Sequence, residues 1–518
     1  MIVRGPYPEI AIPEVPLTPF VLEQAERRGE KAALIDGPTG RAVSYRELAE
    51  SVRRVAAGLW ARGFRKGDVL AIYSPNLPEY AIAFHAVSLI GGISTTVNPL
   101  YTTEELATQL RDAEAKYLLT VPPLAEKARE AAHQAGVREV FVIGEASWTT
   151  LFGDADRVPE VPISPREDVV ALPYSSGTTG WPKGVMLTHY NLVANICQVD
   201  AASREVREED VVIGVLPFFH SYGLLVVMNF MLYKGTTIVT MPRFELELFL
   251  RFLQDYGVTR AYLVPPIILA LAKHPLVDQY DLSKLRIIMS GAAPLSESVA
   301  RACAERLGCV VLQGYGLTET SPVTHANPED PARIKLASVG PPLPNTECQI
   351  VDLETGAPLD VDQLGEVWIR GPQVMKGYWK RPEETARTIT SDGWLRTGDI
   401  GRVDADGYFY IVDRIKELIK YKGLQIAPAE LEAVLLSHPA VADTAVIPSP
   451  DEEAGEVPKA FVVLKGEASA EELMAYVAER VAPYKKIRRV EFVEQIPRSA
   501  SGKILRRVLI ERERGGGA

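Results

Sequence analysis

Residues 174–184, Tyr-Ser-Ser-Gly-Thr-Thr-Gly-Trp-Pro-Lys-Gly, carry the densest chemical signal in the chain. Gly177, Gly180 and Gly184 would let backbone N–H groups approach an anion closely. Ser175, Ser176, Thr178 and Thr179 add hydroxyl donors, and Lys183 adds positive charge. The stretch directly follows the apolar run VVALPY, which puts it at the end of a buried strand. It is not G-x-x-x-x-G-K-[ST], because Pro182 precedes Lys183 and Gly184 follows it. A loop of this composition is suited to cradling phosphate.

Three further stretches follow in order: Gln313-Gly-Tyr-Gly-Leu-Thr-Glu-Thr320, then Gly398-Asp399 with Asp413-Arg414 and IKYKG behind it, then Pro497-Arg-Ser-Ala-Ser-Gly-Lys503. Each alone would read as ordinary surface. A Thr-Glu pair in a loop is usually solvated, and a C-terminal Ser-Gly-Lys is a bland tail. Together with SSGTTGWPKGV they resemble the signature of the adenylate-forming enzymes: acyl-CoA synthetases, plant coumarate–CoA ligases, firefly luciferases and peptide-synthetase adenylation domains. The resemblance covers nearly the whole chain, with four ordered motifs over some 330 residues.

It implies a two-step reaction. A carboxylate attacks the α-phosphorus of ATP and pyrophosphate leaves, then a thiol attacks the acyl-adenylate and AMP leaves. Such chemistry rests on positioning and electrostatics. The resemblance assigns Ser175, Ser176, Gly177, Thr178, Thr179, Gly180 and Lys183 to the departing phosphates. Thr318 goes to the α-phosphate and Glu319 to Mg²⁺. Gly291, Ala292, Gly314, Tyr315 and Gly316 flank the adenine, with Tyr315 able to stack on it. Asp399 accepts from the ribose hydroxyls with Arg414 nearby. Lys503 reaches the carboxylate and α-phosphate during adenylation. Lys420 and Gly423 belong to a second face of the small domain, which serves coenzyme A in the thioester step, and Lys416 matches the hinge. His220, in LPFFHSYG, gates the acyl pocket; standing alone, a histidine among aromatics is more often a packing residue.

The segment YLVPPIILALAK (262–273) looks most like coumarate–CoA ligases and their bacterial relatives. Yet Met289 stands where plant enzymes often carry lysine, and Val226 where many have a small polar residue. With Tyr222, these are the expected acyl-pocket residues, and apolar walls favour an acid without a phenol. The expected substrate is therefore an apolar acid, either a medium- or long-chain fatty acid or an aryl acid of the cinnamate/coumarate kind. The alternatives are transfer to a non-CoA acceptor (an amine or carrier protein) and luciferase-like oxygenation. A peptide-synthetase domain would place an aspartate shortly after the FFH motif, where Ser221 and Tyr222 stand. No His/Cys grouping has metal-ligand spacing, and no G-x-S-x-G is present.

The elements that must position these residues alternate. Ser44 and Glu47 form one capping box and Thr102 and Glu105 another. Leu48, Val52, Val55 and Leu59 share a helical face before Gly63, and VLAIYS and KYLLTV read as buried strands. Strand–helix alternation implies parallel sheets covered by helices. The Pro-rich segment 158–168 reads as a surface connection. After about residue 340 short β-rich pieces take over, with Asp406-Gly407 as a hairpin signal. The last hundred residues read as a small α/β unit with a capped helix from Pro428. The expected fold is α/β: a large N-terminal domain of helix-covered sheets plus a β-rich subdomain over 1–412, a hinge at 413–416, and a small mobile C-terminal α/β domain over 417–518.

Of 518 residues, 47% are hydrophobic and 24% charged, which excludes a disordered or collagen-like chain. The net charge of −11 argues against a nucleic-acid or anionic-membrane partner. The apolar stretch 211–233 is interrupted by Pro217, His220 and Asn229, so it makes a poor transmembrane helix. The N-terminus lacks a signal-peptide core, and four scattered cysteines suit a reducing compartment. The cytoplasm is the expected location; a homo-oligomer stays open.

Overall fold

The computed structural model describes residues 1–175, 182–203, 205–422, 424–451, 453–499 and 502–515. Two sheets in the first two thirds have parallel centres. One runs Glu139–Val142, Ala115–Thr120, Val69–Tyr73, Ile93–Val97, Val169–Ala171, with Lys183–Thr188 and Gly377–Tyr378 added antiparallel at its far side. The other orders Val310–Gly316, Ile287–Ser290, Arg260–Leu263, Val211–Gly214, Thr237–Thr240 and Ala32–Asp36, all parallel, between antiparallel edges Val323–Ala326 and Ala42–Ser44. The expectation of parallel sheets thus holds for their interiors. Edge strands entering from a distant loop or a hairpin need no crossover helix and can run the other way.

The helices follow their sequence signals. Tyr45–Ala61 starts at Ser44 with both arms of the capping box made, and Leu48, Val52, Val55 and Leu59 are buried. Thr103–Asp112 starts at Thr102 with its own complete box. Gly63 takes φ +86°, a left-handed turn that costs glycine little.

Beyond residue 340, Glu347–Val351, Gly365–Arg370, Leu395–Val403 and Phe409–Arg414 form an antiparallel sheet with Val3–Arg4 on its edge. Asp406-Gly407 closes the Leu395–Val403/Phe409–Arg414 hairpin, with Gly407 at φ +80°. The C-terminal unit has its own five-stranded sheet and its own core around Ile419, Leu431, Val446, Val462 and Leu473. The helix Pro428–Leu436 starts where expected, and its cap comes from outside it. Its N-cap, Ala427, offers no side chain, and Asp413 caps it from a distance instead: Ala429 N donates to Asp413 Oδ2 at 2.9 Å.

The segment Tyr222–Phe230 is a π-helix, buried from Gly223 to Phe230. The Asn229 side-chain amide donates to Leu224 O at 2.8 Å, tying the widened turns together. Such helices recur at functional sites because the extra residue per turn re-aims side chains.

Candidate active site

The parallel strands ending at Leu263, Ser290 and Gly316 open their C-terminal ends onto one cleft, where open α/β sheets place ligands. Its cavity volume is about 70 Å³. His220, Tyr222 and Val226 line it from one side, Met289, Gly291 and Ala292 from the strand end, and Gly314, Tyr315, Gly316 and Thr318 from the next strand. Lys503 reaches it from the C-terminal unit. Residues spread over nearly 300 positions therefore meet in one space.

Close packing explains the small residues. A Cβ on Gly291 would sit 2.7 Å from the Tyr222 ring, and one on Gly316 would sit 2.0 Å from Pro322 O. Ala292 holds φ +70°, a strained conformation for a residue with a Cβ, of the sort that gathers at functional sites. The Tyr222 hydroxyl donates to Met289 O at 3.1 Å, so two of the expected acyl-pocket residues are tied together.

One end of the cleft is charged. The Tyr315 hydroxyl donates to Asp399 Oδ2 at 2.6 Å, and Arg414 Nε lies 3.2 Å from Asp399 Oδ1. Burial pushes the Asp399 carboxyl up, against the pull of Arg414. Lys503 is pushed down to about 8, first by burial and then by Arg414, with Asp399 and Glu319 opposing. His220 is pushed down to about 3 by burial and by Lys503, so its imidazole is neutral at physiological pH. Its Nδ1 accepts from Tyr222 N at 3.3 Å, which leaves the proton on Nε2 as a donor.

Glu319 sits in the turn Thr318–Thr320. Its Oε1 accepts from the hydroxyls of Ser175 and Tyr378, each at 2.9 Å. Thr318 Oγ1 lies 3.4 Å from Ser221 Oγ. Lys183 Nζ is 3.0 Å from Glu384 Oε2 and rests over the Tyr378 ring. Ser176, Gly177, Thr178, Thr179, Gly180 and Gly423 lie outside the described residues.

Lys420 is not part of this gathering. It is exposed on the strand Ile419–Tyr421, and its backbone N–H donates to Glu456 at 2.8 Å. Lys416 lies in the turn Ile415–Glu417, directly after Arg414. Sequence reasoning missed Tyr262, Ser290, Tyr378 and Glu384. The one available signal was an arginine inside the short strand RAYL, a residue type that is buried only with a partner.

Among the described residues no group of three or more His, Cys, Asp or Glu is placed to hold a metal. A lone carboxylate accepting from neutral hydroxyls still fits Mg²⁺, which is held by one or two carboxylates together with substrate phosphates.

The model of the AMP-binding enzyme family matches residues 21–379, and that of the AMP-binding enzyme C-terminal domain matches residues 430–503. The chain is 45% identical to 4-coumarate–CoA ligase 1 of Petroselinum crispum, over all of this chain and 97% of that protein. ATP-bound MatB from Rhodopseudomonas palustris superposes with a TM-score of 0.88 at 30% identity, covering 96% of this chain and 99% of that one. The anthranilate CoA ligase AuaEII in complex with anthranoyl-AMP superposes with a TM-score of 0.89 at 27% identity, covering 97% and 98%. No helix among the described residues is long and apolar enough to cross a membrane.

Proposed function

The chain belongs to the AMP-binding enzyme family and is an AMP-forming acid–CoA ligase, and from that premise we propose how its residues divide the work. Its substrates are ATP, CoA and a small carboxylic acid, with Mg²⁺ as the usual cofactor. The observation that carries the reading is Lys503, half-buried in the same cleft as His220, Thr318 and the apolar walls.

A carboxylate oxygen attacks the α-phosphorus and the bond to the β-phosphate bridging oxygen breaks, releasing pyrophosphate. Negative charge crowds where the two anions meet. Lys503 offsets it, and the neutral His220 offers Nε2–H to the carboxylate without competing for a proton. Thr318 bonds the α-phosphate. Ser175 and Lys183 serve the leaving phosphates, Lys183 by exchanging Glu384 for phosphate oxygen. Asp399 takes the ribose hydroxyls, and Tyr315, anchored by its hydroxyl, offers its ring face to adenine. Glu319 would hold Mg²⁺, whose charge neutralises the phosphates.

In the second step the CoA thiolate attacks the acyl carbonyl and AMP leaves with the carboxylate oxygen. Lys420 faces solvent while Lys503 occupies the cleft, so this step needs the C-terminal unit to turn about residues 413–416. The acid is an aryl acid of the cinnamate/coumarate kind. The walls Tyr222, Val226 and Met289 support that reading, and a medium-chain fatty acid is the second choice they would take. The cytoplasm suits a chain whose cysteines, Cys197, Cys303, Cys309 and Cys348, are all free.

The test is a panel of aryl and aliphatic acids scored by pyrophosphate release with and without CoA. Acyl-CoA and AMP should form from at least one aryl acid. Adenylate formed without any CoA transfer would sink the ligase reading in favour of another acceptor.

A further inference from the structure

The carboxylate assigned to the ribose stands beside a distortion of its own strand. Across the antiparallel pair Gly365–Arg370 and Leu395–Val403, Trp368 faces Arg396 and Glu366 faces Ile400. Between those two levels three residues, Thr397, Gly398 and Asp399, stand against one, Val367. Such a bulge re-aims side chains, and it takes N–H groups out of the ladder, where they need new partners. Side chains supply them. Gly398 N donates to Glu366 Oε1 at 2.9 Å, with Gly398 at φ +70°. Asp399 N donates to Thr397 Oγ1 at 3.0 Å, and that hydroxyl donates to Val367 O at 2.6 Å. The other oxygen of Glu366, Oε2, accepts from Trp368 Nε1 at 2.8 Å, and the Arg396 guanidinium lies over the Trp368 ring. At the end of the bulge, Asp399 is 4% exposed and meets Tyr315 and Arg414.

We propose that Glu366 is a positioning residue for the nucleotide: it clamps the bulge at Gly398 and so fixes where the Asp399 carboxylate meets the ribose hydroxyls. The proposal rests on the ribose role of Asp399 given above. Gly398 has no side chain to pack, and a Cβ there would meet nothing within 4 Å, so neighbours do not pin the turn sterically. A hydrogen bond from outside has to do it. An ionised carboxylate only accepts, and it takes both N–H donors at once in the stronger, charge-assisted kind of bond. The Glu366→Gln side chain could accept from one of them and would turn its own NH₂ toward the other. With the clamp gone, the bulge can shift along the strand, and Asp399, the next residue after Gly398, shifts with it. Misplacement by about 1 Å is enough to lose a bond to a hydroxyl that the bound adenine and phosphates hold in place.

The experiment titrates the full-length protein calorimetrically with the magnesium complexes of ATP, 2′-deoxyATP and 3′-deoxyATP, with no acid present. The wild type should bind ATP more tightly than at least one deoxy form by about tenfold or more, as the loss of a hydrogen bond to a charged group predicts. Asp399→Ala should erase most of that ratio. Glu366→Ala should lower it by more than about twofold, whatever it does to the affinity for ATP itself. A merely structural loss would weaken all three nucleotides alike, so a Glu366→Ala ratio within about twofold of wild type overturns the proposal. If Glu366→Ala does not fold, Glu366→Gln decides by the same limit. A wild type that does not discriminate, or a ratio that Asp399→Ala leaves in place, sinks the ribose role and the proposal with it. A ratio erased by Asp399→Ala and kept by Glu366→Ala sinks the clamp alone.

Discussion

A lysine whose ammonium is buried beside an arginine must be worth its desolvation to the chemistry. Lys503 is held at about 8, well below an ordinary lysine, by burial and Arg414. With its protonated form proposed to serve adenylation, pyrophosphate release should hold steady below pH 8 and fall as pH rises through about 8. The linkage to stability has the opposite sense: the folded pKa lies below the unfolded one, so deprotonation relieves the fold as pH climbs from 8 toward 10.5. Lys503→Ala should slow adenylation by about a hundredfold or more while sparing thioester formation from supplied acyl-adenylate. Equal loss in both half-reactions would refute that division. Gly291→Ala tests a contact: the new methyl meets the Tyr222 ring at 2.7 Å, so the KM for the acid should rise more than the KM for ATP in steady-state assays. At this scale the motifs pointed to His220, Thr318, Glu319, Asp399 and Lys503, of which His220, Thr318 and Lys503 line one cleft, but not to what Glu319 and Lys183 touch. The partners Tyr378 and Glu384 come from a different strand and helix, and contacts across such a distance leave no local pattern.

Elements with a strong local signature were legible. The helix Tyr45–Ala61 has both a capping box and an apolar stripe, and the hairpin at Gly407 has a residue that accepts φ +80°. The π-helix Tyr222–Phe230 was not legible, because a run buried on every side has no periodicity to read. The cap expected on Pro428–Leu436 is supplied by Asp413, fifteen residues before the helix begins and so not legible locally. That carboxyl also accepts from Arg414 N at 2.8 Å, so one side chain ties the end of the β-rich sheet to the first helix of the C-terminal unit. Asp413→Ala should cost about 1–2 kcal/mol in equilibrium denaturation, in the range of other lost caps. A melting curve indistinguishable from wild type would show that solvent replaces the carboxylate there.

Across the whole molecule, described residues of the C-terminal unit touch the N-terminal part both at the cleft and beyond it. Gly502 packs against Val264, where a Cβ would lie 2.9 Å from Cγ2, and Lys273 Nζ donates to Leu436 O at 3.3 Å. Gly502 also holds φ +77°, so Gly502→Ala is strained twice over in this arrangement. It should impair adenylation more than thioesterification when each half-reaction is timed separately. Lys420→Ala should do the reverse, and pyrophosphate exchange falling as far as CoA transfer would count against the second face.

On the proposed role of Lys503, its place beside Arg414 would also let the enzyme sense its own progress. Without a triphosphate, the ammonium faces Arg414, with Asp399 and Glu319 offsetting part of that repulsion. Arrival of several negative charges turns that placement favourable; departure of pyrophosphate takes most of the attraction away. The timing of the swing would then be set by the charge left behind, with no separate latch required. Limited proteolysis of residues 413–416 should accordingly slow with a non-hydrolysable ATP analogue and quicken again with AMP.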